Sequence, residues 1–262
     1  MGADDHDAGA GALQRAVLGM RWEDLAFLHW PVPAAALRPT LPAGLELDTF
    51  EGEAWLGVVP FQMRATRFDW TPPMPTATNF PELNLRTYVR RGDRLGVWFY
   101  SLDAASWLAV RGARLGFALP YFDARMDVEP GAGGRGVQRY SSTRRHRGAP
   151  AASFSGSYAP TGGAVSSRPG TLEHFLTERY SLFARRGHGV RFALRGGLLR
   201  GDIAHDPWPL QPAEVELADC DMFRVLGPAA VRAAGIGGRE LAPPVVHFSS
   251  AVDVRAAAPV RA

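Results

Sequence analysis

The sequence contains no lysine: all 29 basic side chains other than histidine are arginines. No side-chain amine is therefore available for a Schiff base, which excludes lysine-dependent aldolase, decarboxylase and pyridoxal-phosphate mechanisms. Cysteine is almost as scarce. A single Cys220 forms no intrachain disulfide, and a thiolate zinc site is not available. In its ADCDMF setting it reads as a small apolar residue rather than a reactive thiol. No apolar run approaches the roughly 18 residues of a membrane helix. The N-terminal MGADDHDAGAGAL lacks the positive and apolar regions of a signal peptide. The resulting expectation is a soluble cytoplasmic protein without membrane attachment.

Motifs for the commoner chemistries are missing as well. The seven histidines are scattered, with neither H-E-x-x-H nor H-x-x-x-H, so no metal is expected. His174 and Glu178 lie four apart on an expected helix and read as a solvated pair. No G-x-S-x-G elbow occurs. Gly131 to Gly136 matches G-x-G-x-x-G, but an alternating strand pattern follows it where a nucleotide site needs a helix, so a β-turn is expected and no cofactor. The net charge is only +3, and Arg144-Arg145-His146-Arg147 is a short run that reads as a solvated strand end or loop. Nucleic-acid binding is not expected.

What is present is enough apolar residue for a core, 46% of 262 residues with 21% charged. Residues 1–20 read as a mobile tail, 21–256 as one domain and 257–262 as a second tail. Strand patterns occur in DLAFLHWPV, LELDTF, EAWLGVVPFQM, FPELNLRTYV, RLGVWFYSL, YFDARMDV, GVQRYSSTRR, ASFSGSYA, GVRFALR, LLRGDIAH and PVVHFSSAVDV. Glu51-Gly52 reads as the turn of a hairpin between the second and third of these, and Gly92-Asp93 as another turn. Two aromatic–proline loops stand out, one within TRFDWTPPMPTATNF and the other at HDPWPLQP. PAAALRPTLP suggests a short helix. DAASWLAVRGARLGF suggests another, with Asp103 as N-cap and Leu108 and Leu115 on one stripe. TLEHFLTERYSLFARR reads as the clearest helix, capped by Thr171 and ended before Gly187. The fold class is α+β, a mainly antiparallel sheet or barrel with two or three outer helices.

Within FPELNLRTYV, side chains alternate across the strand. Leu83, Leu85, Thr87 and Val89 share one face, and Glu82, Asn84, Arg86 and Tyr88 the other. The polar line fits either a wet outer surface or the lining of a cavity. Glu82 and Arg86 stand about 13 Å apart along the strand, too far to pair directly but suited to one shared ligand.

Several phrases, among them FLHWPV, LDTFEGEAWLGVVPF, FPELNLRTYV, VWFYSLDA, ARLGFALPYFDA, LTERYSLF and HDPWPLQ, resemble the YqjF-like family, also called DUF2071, from about Trp22 to Val254. That family is similar in turn to the acetoacetate decarboxylase superfamily. The resemblance implies a cone-like antiparallel β-barrel around a cavity, with helices outside, and turns the Glu82 face inward. It implies Glu82 as a proton carrier. It also shows a departure: Tyr121 stands about where the superfamily's Schiff-base lysine would be, in the run from Gly112 to Tyr121 that also holds Arg114. A phenol donates a hydrogen bond or acts as an acid but forms no imine. On this reading Tyr121 stabilises negative charge and Arg86 or Arg114 holds an acidic or carbonyl oxygen. Asn84 and Tyr88 line the same face, and His29, Asp103 and His205 flank strand ends or aromatic–proline segments. The expected activity is lysine-independent acid/base chemistry on a small oxo-acid or carbonyl compound. The alternatives are a binding protein for an acidic or apolar metabolite, or a structural protein with a filled barrel. Exposed strand edges and the aromatic–proline loops point to a homodimer.

Overall fold

The computed structural model describes residues 13–69, 78–130, 138–185, 197–236 and 241–262. Thirteen strands form one sheet: β1 (Ala16–Val32), β2 (Glu46–Leu47), β3 (Ala54–Phe68), β4 (Phe80–Arg91), β5 (Arg94–Ala104), β6 (Tyr121–Pro130), β7 (Gln138–Arg144), β8 (Ser153–Pro160), β9 (Ser181–Arg185), β10 (Leu198–Ala204), β11 (Leu210–Cys220), β12 (Val245–Ala257) and β13 (Val260–Arg261). The helices are short: α1 (Ala34–Leu37), α2 (Trp107–Gly116), α3 (Leu172–Thr177) and α4 (Pro228–Ala234). No helix among the described residues is long and apolar enough to cross a membrane.

The sheet is ring-like, and it forks. One edge of β5 runs along β4, while its other edge meets β9 at Val97 and Trp98 and β6 at Leu102 to Ala104. β12 divides likewise, pairing β11 near His247 and β10 near Ala256. Two closed circuits result. One passes through β5, β6, β7, β8, β11, β12, β1, β3 and β4; the other through β5, β9, β10, β12, β1, β3 and β4. Strands β12, β1, β3, β4 and β5 are common to both. A strand in a shared wall must satisfy two interiors, and the period-two alternation gives each one face. The first interior is a packed apolar core in which Leu83 and Leu85 of β4 sit among Leu28, Val58, Tyr140 and Phe154. The second contains Phe27, Val59, Phe61, Leu102 and Trp208.

The fold class is as the sequence suggests, mainly antiparallel and cone-like with outer helices. Several details differ. The tail expected over residues 1–20 ends earlier, because β1 opens at Ala16, whose partner is Ala257. The far tail is likewise engaged, with Arg261 opposite Leu199. Phe50 and Glu53 close the turn at Glu51-Gly52, but β2 pairs with β4 rather than β3, so no hairpin joins LELDTF to EAWLGVVPFQM. The helix expected from Thr171 keeps its cap but stops at Thr177; Ser181–Arg185 instead extends into β9, where pairing to β5 and β10 outweighs helical propensity. Glu178 is buried, accepting from the Tyr180 hydroxyl at 2.6 Å and the Trp208 amide at 3.1 Å, so it is no solvated partner of His174. LQPAEVELADC forms β11, a strand the sequence reading did not mark. The Gly131–Gly136 turn, most of the first aromatic–proline loop, Gly187 and the GVRFALR strand lie outside the described residues.

Helix α2 is capped by Ser106, whose oxygen accepts from the Ala109 amide, and not by Asp103. Its expected apolar stripe is not buried as one unit either: Val110 is inside, whereas Leu115 is exposed. Asp103 belongs to β5 opposite Leu83, on the face turned to the packed core. There it forms an ion pair with Arg144 at 2.7 Å, with both partners almost wholly buried. Arg144, the first residue of the basic run, is therefore a core cation and not a solvated strand end. Removing one member of a buried pair leaves an uncompensated charge, so Asp103→Ala is expected to cost about 3–5 kcal/mol of stability. Chemical denaturation checks this; a loss under 1 kcal/mol would return Asp103 to the pool of site candidates.

Candidate functional site

Strand β4 positions the site. Its partners on β3 are Phe61 for Glu82, Val59 for Asn84 and Gly57 for Arg86. The Tyr140 hydroxyl reaches from the packed core to the carbonyl of Glu82 at 2.8 Å, fixing the backbone at that residue. With Leu83 and Leu85 committed to that core, Glu82, Asn84 and Arg86 face the other interior, where they line a cavity of about 280 Å³. Most of the lining is apolar, including Phe27, Phe61, Phe99 and Trp208.

Glu82 is 2% exposed, and the Tyr121 hydroxyl donates to its Oε2 at 2.8 Å. Tyr121 arrives through the parallel register of β6, standing opposite Leu102, which stands opposite Asn84. Burial raises the Glu82 pKa, the nearby charge of Asp103 adds to the rise, and the Tyr121 bond opposes it; the result is about 8. The side chain is thus largely a neutral acid at pH 7. Burial and the adjoining Glu82 push the Tyr121 phenol well above its ordinary range, so it stays a donor.

Arg86 forms the second pole. It is 8% exposed, and no carboxylate pairs with it among the described residues. Its Nη2 donates to the Leu176 carbonyl at 3.1 Å, and its guanidinium lies 5.5 Å from the Phe27 ring centre and 5.7 Å from that of Tyr88. Arg86 Nε and Asn84 Oδ1 have no hydrogen-bond partner among the described residues. Two unsatisfied polar atoms on one cavity wall are costly unless a ligand completes them.

The other sequence candidates divide between lining and support. His205 lines the cavity. Its Nδ1 donates to the Asp206 carbonyl at 2.8 Å, its ring packs between Tyr180 and Trp208, and burial lowers its pKa. His29 and Tyr88 stand behind Arg86. The Tyr88 hydroxyl donates to the Leu176 carbonyl at 2.7 Å, so His29 Nε2, 2.6 Å away, carries the hydrogen between them. Burial first, then the charge of Arg86, keeps His29 neutral. Gly57 makes room for this pair, since a Cβ there would lie 2.9 Å from His29 Nε2. Arg114 is not among the lining residues: its Nη1 donates to the Tyr121 carbonyl at 2.6 Å and its charge lies over the Phe122 ring. It supports the strand that carries Tyr121. Asp103, bound to Arg144, also stands outside the cavity.

The lining residues not marked as site candidates from sequence include Arg179, Ser181, Asp202 and Trp208. Arg179 is neutralised by Asp48 at 2.7 Å, and Asp202 by Arg200 at 3.0 Å. Arg179 and Ser181 fell inside the overlong helix, and only Trp208, within HDPWPLQP, carried a visible signal. Among the described residues no three His, Cys, Asp or Glu side chains gather as a metal site would require.

The profile of DUF2071, described as an uncharacterized conserved protein, matches residues 19–253. The chain belongs to the DUF2071 family. It is 39% identical over 202 residues to the uncharacterized protein YqjF of Bacillus subtilis, covering 77% of this chain and 78% of that protein. Its fold is similar to that of an acetoacetate decarboxylase-like enzyme from Sphingomonas wittichii, with a TM-score of 0.59, 16% identity and coverage of 95% and 93% of the two chains. It is also similar to the enduracididine biosynthesis enzyme MppR complexed with pyruvate, with a TM-score of 0.61, 12% identity and coverage of 94% and 90%. These neighbours share the cone-like fold of the acetoacetate decarboxylase-like superfamily.

The raised pKa of Glu82 gives a stability signature. In the unfolded chain the group ionises near pH 4.3, and in the folded protein near 8. The folded state holds the proton more tightly, so this contribution to stability is full below about pH 4 and is lost as pH rises through about 8. Thermal unfolding between about pH 5 and pH 8 should therefore show Glu82→Gln losing less stability than the wild type, by roughly 1.4 kcal/mol per pH unit, with the difference levelling off above about 8. Parallel pH profiles for the two proteins would show that Glu82 is not protonated in the folded state.

Proposed function

We propose that the DUF2071 cavity binds a small oxo-acid with an apolar body and moves a proton on it. The reading is carried by one observation: a buried arginine with no carboxylate partner among the described residues and a buried, protonated glutamic acid line the same apolar cavity. The ligand's carboxylate sits against Arg86, whose fixed fork favours a bidentate pair. Its carbonyl end extends toward Glu82. In its ionised form Glu82 takes a proton from the carbon beside the carbonyl, leaving an enolate, and in its neutral form it returns the proton to that carbon. A pKa of about 8 places both forms within reach at neutral pH. Tyr121 donates to Oε2 throughout and steadies the ionised form. None of these steps uses an amine, in keeping with a chain that has no lysine. That one fold neighbour is complexed with pyruvate supports the ligand class. The apolar lining favours a second reading, a binding protein that holds such an acid without turning it over.

The test is exchange of the C3 protons of 2-oxobutanoate in deuterated water, followed by NMR, beside calorimetric binding. Exchange above the uncatalysed background is expected to rise with pH and level off above about 8. Glu82→Gln should remove it while leaving binding intact, and Arg86→Ala should weaken binding at least about tenfold. Binding without exchange selects the second reading; unchanged affinity in Arg86→Ala refutes the carboxylate position.

A further inference from the structure

The fork at β5 leaves a gap in the cavity wall. Along the edge facing β6 and β9, pairing covers Val97 and Trp98, then resumes at Leu102. Strand β9 approaches closely at one end of this interval, where a Cβ on Gly96 would lie 2.5 Å from the Ser181 carbonyl oxygen. Beyond it β9 and β6 diverge. On the opposite edge a bulge falls at the same place: Leu85 is opposite Ser101 and Arg86 opposite Phe99, so Tyr100 is the additional residue. Bulges re-aim side chains, and here the shift keeps Phe99 on the Arg86 face while Leu102 still follows Asn84.

Outside the gap is a second recess of about 390 Å³, lined by Tyr100, Ala118, Pro120, Ala184 and Arg185 among others. Ala118 holds a left-handed φ of 55° in the short link from α2 to β6, which carries the chain around the recess. Tyr100 is fixed at the rim by a 2.6 Å hydrogen bond to Thr40 Oγ1. Phe99 alone among the recess-lining residues also lines the inner cavity. It is only partly buried, although it packs against Leu102 and its neighbours on one side and the Val97 cluster on the other.

We propose that Phe99 is a specificity-determining residue that closes this gap. Its ring ends the inner cavity and limits the apolar tail of a ligand whose carboxylate lies at Arg86, the neighbouring position across β4. Without the ring, cavity and recess form one passage and longer tails extend into the recess. The tail-length limit rests on the oxo-acid reading given above; the physical closure of the gap does not.

The experiment therefore has two arms. In the first, calorimetry compares wild type and Phe99→Ala with 2-oxobutanoate, 2-oxohexanoate and 2-oxodecanoate. The longest acid is expected to bind at least about tenfold more tightly to the variant, with the shortest little changed. An unaltered order of affinities overturns the proposal. In the second arm, Leu102→Cys in a Cys220→Ala background places a thiol in the cavity wall, and its labelling by a bulky maleimide is timed with and without Phe99→Ala. Labelling at least about tenfold faster in the absence of the ring supports closure, and equal rates overturn it. If no acid binds either protein, the oxo-acid reading fails while the labelling arm still decides the role of Phe99. Phe99→Leu replaces Phe99→Ala in both arms should the smaller side chain prevent folding.

Discussion

The structure depends on one wall serving two interiors. Strands β4 and β5, with β3, β1 and β12, belong to both closed circuits of the sheet, and β4 is buried on both faces from Glu82 to Val89. Alternation leaves no freedom: if Leu83 and Leu85 pack into the core, Glu82, Asn84 and Arg86 must enter the cavity. The same parity removes Asp103 from the site and gives it to Arg144, while its neighbours Leu102 and Ala104 stand opposite Asn84 and Glu82. A slip of one residue in β4 would exchange the two sets, placing a glutamate and an arginine in an apolar core. The register of the site is therefore held by the cost of that exchange.

Electrostatics within the cavity follow from what is and is not paired. Arg179 has Asp48 and Asp202 has Arg200, so these groups contribute little net charge. Glu82 carries its own proton at neutral pH. Among the described residues Arg86 is left as the buried cation of the wall without a carboxylate partner, Arg67 being exposed. It is held in place by carbonyl and aromatic contacts, and by a hydroxyl whose other partner is a histidine kept neutral by burial. Such an arrangement favours an anion in surroundings that exclude most of the water competing for it. On the proposed reading it also separates the two tasks along one strand, with the anion at Arg86 and the proton at Glu82.

Much of this was legible in the sequence, and for physical reasons. The FPELNLRTYV strand shows its two faces by alternation alone, and family resemblance indicated which way they point. Tyr121 was singled out through the family resemblance alone, since nothing in its own surroundings in the sequence marks it. Residues whose role depends on distant partners were harder to read. Asp103 and His29 are acidic and basic groups near strand ends, and only the register shows that one faces a core arginine and the other supports Arg86 from behind. The run after Thr171 has a sound cap and good helix formers, yet β9 forms because β5 and β10 offer it an edge on each side. Arg179 and Ser181 were lost with that misreading. Strand β11 does carry a period-two signal, with Ala213, Val215 and Leu217 turned to the core and Glu214 and Glu216 to solvent, although its flanking prolines and acidic residues give it the look of a loop.

The pairing of β1 with β12 has a consequence for biosynthesis. Ala16, at the start of the first strand, lies opposite Ala257, near the end of the chain, and both circuits pass through β12. Neither ring can close until that last long strand has left the ribosome. Until then the wall bearing Glu82 and Arg86 has an open edge at β1, exposed to any other strand in reach. The cavity is enclosed only when β12 joins β1, and a chain truncated before β12 would lack the enclosure as well as the residues it omits.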